Sequence, residues 1–269
     1  MVSDEEIDIL LDDLFVMHGY DFHNYSRASL KRRVLRLFAL DKFSNFTELR
    51  YKVRTDERYV KRFVEEITVN VTEMFRDPLF YKALRNDVLP LLGTRPFIRI
   101  WHAGCSTGEE VYSLAILLHE AGMLAKSLLY ATDINARVLE KVRKGIFPLN
   151  QMKQYSESYI SSGGVKDFSS YYTANYGQAK FDEALSAKII ISTHNLVSDS
   201  SFNEFDLILC RNVLIYFDKD LQDRALQLFD ASLGLAGFLA LGSKETLKFS
   251  TIQQKFQQID REKIWKKIR

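Results

Sequence analysis

FIRIWHAGCSTGEEVYS, residues 97–113, passes from one structural period to another. Phe97 to Trp101 is a short, β-prone apolar run. Gly104 and Gly108 follow it, and a helical stretch then extends toward Gly122. A strand, a glycine turn and a helix in that order form one βα unit of a parallel sheet. The glycines permit a tight turn and close approach of backbone to a ligand. Their spacing is not the dinucleotide pattern G-x-G-x-x-G, and no P-loop lysine follows. A bare helix start attracts anions, yet here Glu109 and Glu110 occupy it. Two carboxylates repel a pyrophosphate and suit a ligand that carries an ammonium and a sulfonium. S-adenosylmethionine is such a ligand.

Working outward, the same rhythm repeats downstream. SLLYAT (127–132) precedes a helix over 136–144 that Gly145 closes, and KIIIS (188–192) and FDLILC (205–210) are further strands. A helix over 219–233 leads into GFLALG (237–242), and KFQQI and KIWKKI flank a polar turn at 260–262 as a closing hairpin. The alternation predicts a parallel sheet with helices on both faces, extended by an antiparallel strand. Residues 151–187, rich in Ser, Tyr, Gly and Lys, break the rhythm and are expected to form an inserted subdomain of short strands and loops. Asp133 falls at the tip of the second strand, where an acidic residue accepts from ribose hydroxyls in nucleoside-binding sheets. Its alternative role is to cap the helix that follows.

Upstream, Asp77-Pro78 reads as a helix start, with Asp as N-cap and Pro at the first helical position. Residues 1–70 hold no Pro and a single Gly. Ile7, Leu10, Leu11, Leu14 and Phe15 recur at helical spacing, as do Leu30, Val34, Leu37 and Phe38, and then Phe63, Ile67 and Val71. A helical module over 1–70 and a ligand-binding domain over 71–269 are therefore expected.

Composition narrows the class. The 269 residues are 46% hydrophobic and 27% charged, with formal net charge +2. That is ample apolar material for a core and no bulk polycation, so nucleic acid is not the expected partner. Two cysteines make no disulfide framework and fit a reducing cytoplasm. Neither a secretory leader nor a membrane span is expected. A monomer is expected, and no metal site.

Four stretches together resemble the chemotaxis receptor glutamate methyltransferases, the CheR family: NVTEMFRD (70–77), AGCSTGEEVYS (103–113), ATDIN (131–135) and CRNVLIYF (210–217). His194-Asn195-Leu196 and Gly242-Ser243-Lys244-Glu245 are weaker matches. The resemblance implies a Rossmann-like class I S-adenosylmethionine methyltransferase sheet with a small inserted β subdomain, preceded by an all-helical N-terminal domain. It implies that Asn70, Thr72 and Arg76 close over the cofactor, with Gly104 in the turn. Glu110, aided by Glu109, holds the amino end, and Asp133 holds the ribose. Asn195 and Leu196 border the adenine, while Arg211 and Asn212 complete the pocket. Arg76 and Tyr216 stand as the catalytic pair.

The resemblance further implies that the product is S-adenosylhomocysteine and that the acceptors are glutamates on cytoplasmic helices of chemotaxis receptors. Lys31 to Arg36 is a basic run, and Arg32, Arg33 and Arg36 share one helix face. That face is a solvated surface, a nucleic-acid contact or, as the resemblance favours, a dock for an acidic receptor helix. His102 and Cys105 fill places where the family commonly has small or hydroxyl residues. Met74 replaces a frequent aromatic, and Val111 a usual Pro. The rival readings are a class I methyltransferase acting on RNA or a small molecule, and a scaffold that senses S-adenosylmethionine without turnover.

Overall fold

The computed structural model describes residues 2–68 and 72–269, and of Asp260 the backbone only. Asn70, expected at the cofactor, and Val71 lie outside the described residues. The chain divides into two compact units, Met1–Asn70 with Leu214–Ala225, and Val71–Val213 with Leu226–Arg269.

The first unit is built on helices α1 (Asp4–His18), α2 (Arg27–Leu40), α3 (Phe46–Thr55) and α4 (Glu57–Ile67). Their starts are written in the sequence. Ser3 Oγ accepts from the Glu6 N–H at 3.1 Å while Glu6 Oε2 accepts from the Ser3 N–H at 2.8 Å, which satisfies two donors that a helix start leaves open. Asn45 and Asp56 cap α3 and α4 with their side chains, Asn45 accepting from the Glu48 N–H and Asp56 from the Arg58 and Tyr59 N–H groups. Each helix turns an apolar stripe inward, so that Leu10, Leu14, Val34, Leu49, Val53 and Phe63 share one core. Each such side chain contributes roughly 1.5–3 kcal/mol on burial. Three helical runs are expected here and four form; α3 is short and largely charged outside its buried Phe46, Leu49 and Val53.

Residues 214–225 pack with this unit rather than with the sheet that precedes them in the chain. Tyr25 and Phe217 form an antiparallel bridge, with their rings edge-on at 5.0 Å. The Ser26 N–H donates to the Tyr216 carbonyl at 2.7 Å, and the Asp218 N–H to the Asn24 carbonyl at 2.9 Å. A division at residue 70 alone therefore omits a segment of the helical unit.

The second unit opens with α5 (Pro78–Ala83), a π-helical turn (Leu84–Val88) and α6 (Leu89–Gly93). Pro90 lacks an N–H and crowds the carbonyl four residues back, which accounts for the widened turn. In chain order there follow β1 (Ile98–Ala103), α7 (Glu109–Glu120), β2 (Ser127–Asp133), α8 (Ala136–Lys144), β3 (Ile146–Pro148), α9 (Met152–Ser161), β4 (Tyr172–Asn175), β5 (Gln178–Phe181), α10 (Glu183–Ser186), β6 (Ile189–Thr193), β7 (Phe205–Cys210), α11 (Lys219–Ser232), β8 (Leu233–Leu241), β9 (Phe256–Asp260) and β10 (Ile264–Lys267). Seven strands stand in the order β6-β2-β1-β7-β8-β10-β9. Neighbours from β6 to β8 run parallel, and β10 is antiparallel to both β8 and β9. The central strands are apolar on both faces because helices cover both.

The chain leaves β1 first toward β2 and β6 and later toward β7 and β8. In such sheets a ligand gathers outside the carboxyl ends at that reversal. The inserted subdomain differs from expectation. Its sheet, β3-β5-β4, already starts at Ile146, and α9 occupies a stretch expected to hold strands and loops. Met152, Tyr155 and Tyr159 bury at i, i+3 and i+7, a helical period that the Ser-rich composition conceals. Among the described residues no helix is long and apolar enough to cross a membrane.

Candidate active site

The turn after β1 is built by backbone hydrogen bonds. The N–H groups of Gly104 and Cys105 both donate to the Thr132 carbonyl, at 2.9 and 2.8 Å. This ties the ends of β1 and β2 together. Gly104 has φ 78°, and a Cβ there would lie 2.7 Å from a methyl of Val213. Its lack of a side chain is therefore required by packing as well as by the turn. Ser106 and Asn212 also hold positive φ, 51° and 61°, as do Phe75 and Asp77 at 54° and 59°. Backbone strain of this kind collects where a site is held in one conformation.

Asp133 ends β2. Its Oδ2 accepts from the Ser106 N–H and its Oδ1 from the Asn135 N–H, each at 2.9 Å. Burial raises the Asp133 carboxyl above its usual range against the pull of these backbone donors. A carboxylate offers about four acceptor positions, so capacity for ligand hydroxyls remains. The Ser106 hydroxyl and the Asn135 side-chain nitrogen are buried without a hydrogen-bond partner in the protein. Asn135, rather than Asp133, caps α8 with its side chain, accepting from the Arg137 N–H at 3.0 Å.

The two glutamates at the start of α7 part company. Glu109 is buried, its Oε2 accepts from the Thr107 hydroxyl at 2.5 Å, and burial raises its carboxyl. Glu110 lies beside His102 Nδ1, 2.9 Å from its Oε1, and Arg211 Nη1, 3.4 Å from its Oε2. Burial pushes Glu110 upward, but His102 and Arg211 outweigh it and hold the carboxyl below its usual range. Glu110 is thus kept as the anion, whereas Glu109 is committed to the turn.

Arg211, at the end of β7, is a buried strut. Its Nη2 donates to Asp77 Oδ2 at 2.6 Å and to the Arg76 carbonyl at 3.3 Å. Its guanidinium lies 3.9 Å from the centre of the Phe80 ring, a cation–π contact. Asp77 does open α5 in front of Pro78, but its side chain does not cap the helix; its left-handed backbone carries the carboxylate to Arg211 instead. Next in the chain, the Asn212 N–H donates to Glu245 Oε2 at 3.0 Å, which also accepts from the Gly242 N–H at 2.6 Å. The GSKE stretch at 242–245 therefore supports the RN pair at 211–212.

At the end of β6, the His194 N–H donates to the Asp133 carbonyl at 3.3 Å. Asn195 forms a turn in which its Oδ1 accepts from the Val197 N–H at 2.9 Å, and Leu196 is buried. Thr72 and Arg76 are half-buried.

Tyr216 belongs to the helical unit and is half-buried there. It acts electrostatically on Arg33, which burial and the nearby Arg32 and Arg36 push below its usual value while Tyr216 pulls the other way. Arg33 is itself half-buried, so of the three arginines expected on one exposed face only Arg32 and Arg36 are exposed. Among the described residues no cluster of three or more His, Cys, Asp or Glu is arranged to hold a metal.

His102 is the residue that sequence reasoning passed over, noting it only as a departure. Its position at the carboxyl end of β1, eight residues before Glu110, was the available signal.

Around the switch point, then, stand a fixed anion, a buried carboxylate at a strand tip, and buried polar atoms without protein partners. These suit a nucleoside that bears an ammonium group. Residues 70–264 match the CheR methyltransferase, SAM binding domain, and residues 5–68 match the CheR methyltransferase, all-alpha domain. The candidate methyltransferase Cher3 of Pseudomonas putida is 48% identical over 95% of this chain and 93% of its own length. The chemotaxis protein methyltransferase of Listeria monocytogenes is 32% identical over 92% of this chain and 93% of its own. The corresponding protein of Salmonella typhimurium is 31% identical over 83% of this chain and 76% of its own. With an S-adenosylmethionine-binding sheet domain and the family's all-α domain together in one chain, this protein belongs to the CheR family of S-adenosylmethionine-dependent methyltransferases.

Proposed function

We propose that this chain esterifies glutamate side chains on the cytoplasmic helices of chemotaxis receptors. The observation that carries the reading is the pairing of the all-α domain with the S-adenosylmethionine-binding domain, in a chain whose relatives of comparable length bear the name chemotaxis protein methyltransferase. The bound cofactor supplies an electrophilic methyl group on a sulfonium. A glutamate acceptor is already ionised at pH 7, so no strong general base is needed. What remains is positioning and electrostatics.

Within this reading Glu110, held ionised, takes the cofactor's amino group, and Asp133 takes the ribose hydroxyls. Asn195 and Leu196 border the adenine. Gly104 and Asn212, both at positive φ, shape the turns around it. Arg211 acts at one remove, by holding Glu110 and the Arg76–Asp77 turn. Arg76 and Tyr216 orient the acceptor carboxylate, Arg76 through the paired donors of its guanidinium. Thr72, on the same link as Arg76, covers the cofactor. The exposed Arg32 and Arg36 meet the acidic receptor helix, with electrostatics setting encounter and register.

The test is transfer of radiolabelled methyl groups from S-adenosylmethionine to receptor-containing membranes, followed by mild alkali. Carboxyl methyl esters are hydrolysed and release the label. Alkali-stable label, or label that enters RNA and not receptor, overturns the proposal.

A further inference from the structure

His102 stands where the sheet turns toward Glu110, and its surroundings give it more to do than fill space. Its side chain is fully buried at the end of β1. Nδ1 lies 2.9 Å from Glu110 Oε1, and because Glu110 is held as a carboxylate, Nδ1 is the protonated, donating nitrogen. The other ring nitrogen, Nε2, is buried with no hydrogen-bond partner in the protein. An imidazole buried with one nitrogen unmatched destabilises a fold relative to an apolar side chain of similar bulk. Packing alone does not account for it; the Nδ1 hydrogen bond does.

Glu110 is gripped on both oxygens from two different strands, Oε1 by His102 on β1 and Oε2 by Arg211 after β7. Two donors on separate rigid elements fix the plane of the carboxylate as well as its place. The charges also matter. Arg211 pairs with both Glu110 and Asp77, so these three sum to one negative charge. That net charge suits a cationic amino group, and His102 adds a second donor to the carboxylate through Nδ1.

We propose that His102 is a positioning residue that holds the Glu110 carboxylate, in fixed orientation, for the amino group of S-adenosylmethionine. This rests on the reading that Glu110 receives that amino group. It makes His102 a determinant of selectivity for the amino-acid end of the ligand, with no part in recognising the nucleoside.

Two ligands separate these ends. S-adenosylhomocysteine carries the amino-acid group; 5′-methylthioadenosine keeps the nucleoside and sulfur but has no amino or carboxyl group. By calorimetry at one pH, His102→Leu is expected to weaken S-adenosylhomocysteine about tenfold, the effect of losing one charge-assisted hydrogen bond. Its affinity for methylthioadenosine should stay within about twofold of wild type. His102→Asn, which retains an N–H donor near the Nδ1 position, should recover most of the loss.

Equal weakening of both ligands in His102→Leu overturns the proposal, because His102 then only shapes the pocket. So does failure of His102→Asn to recover more than His102→Leu. Glu110→Gln distinguishes the two layers of the argument. If Glu110→Gln leaves both affinities unchanged, the amino-group reading of Glu110 fails and the inference falls with it. If Glu110→Gln discriminates between the ligands but His102→Leu does not, the His102 inference alone fails. Nitrogen-15 spectra of the wild-type imidazole give a check that needs no variant. A protonated Nδ1 is expected, and a neutral ring protonated only at Nε2 overturns the proposal.

Discussion

At the scale of single residues, two carboxylates at the switch point, Asp133 and Glu110, are tuned in opposite directions. Burial raises Asp133; burial also works on Glu110, but His102 and Arg211 reverse its effect. A carboxyl whose folded pKa is depressed stabilises the fold above its unfolded pKa of about 4.3, and loses that contribution as pH falls through the folded value. Glu110→Gln should therefore lower the urea midpoint at pH 6, and the gap from wild type should close below about pH 4. A gap that stays constant into acid would show that Glu110 is not held ionised by its neighbours.

Asp133→Ala removes the buried acceptor and should weaken S-adenosylhomocysteine by about 1–3 kcal/mol, the range for stranding hydrogen-bonding partners; wild-type affinity in calorimetry would take Asp133 out of the site. Tyr216→Phe keeps the ring and deletes one hydroxyl. If that hydroxyl aligns the acceptor in the transition state, kcat falls about ten- to a hundredfold with cofactor affinity unchanged. Full activity in single-turnover methylation would leave Tyr216 without a catalytic role.

At the scale of elements, the β1–α7 turn shows how local chemistry and a distant contact jointly choose a residue. Gly104 has a positive φ, which any L side chain resists, and its missing Cβ leaves room for Val213 in the turn after β7. Gly104→Ala should lower the melting temperature, and a second change, Val213→Ala, should restore part of the loss by removing the 2.7 Å clash while the backbone strain persists. Strictly additive effects in that pair would mean that the clash is relieved by movement of the turn. The glycine pattern of this turn was visible in the sequence because it is local; Val213 as its reason was not, since it lies 109 positions away.

At the scale of the whole molecule, each compact unit has buried apolar side chains of its own among the described residues. Substitutions on the exposed face of α2 should therefore leave cofactor binding alone. Reversing Arg32 and Arg36 to Glu is expected to cut receptor methylation severalfold, most at low ionic strength where charge steering is least screened, with unchanged affinity for S-adenosylhomocysteine. Methylation at the wild-type rate would make this face a solvated surface. Reversing the half-buried Arg33 should in addition lower the stability of the helical unit, because it places a carboxylate where a guanidinium is partly desolvated.

The sequence by itself determined what depends on neighbours along the chain. Apolar periods of two and 3.6 residues located β1, β2, β7 and most helices. Gly145 marked the end of α8, and the order of strands and helices specified a parallel sheet of the kind that binds ligands at its carboxyl edge. It also placed Glu110 and Asp133 at that edge. Tertiary structure alone decided which partner each charged side chain would take, because those partners come from separate elements. Asp77 was legible as the start of a helix, yet its carboxylate goes to Arg211, 134 residues on. Arg33 read as part of a basic face, but the packing of the helical unit half-buries it. The segment 214–225 continues the sheet domain in sequence and joins the helical unit in space, since burying Leu214, Phe217 and Leu221 outweighs continuity of the chain. Periodicity is a property of the backbone and survives in one dimension; pairing and burial are properties of three.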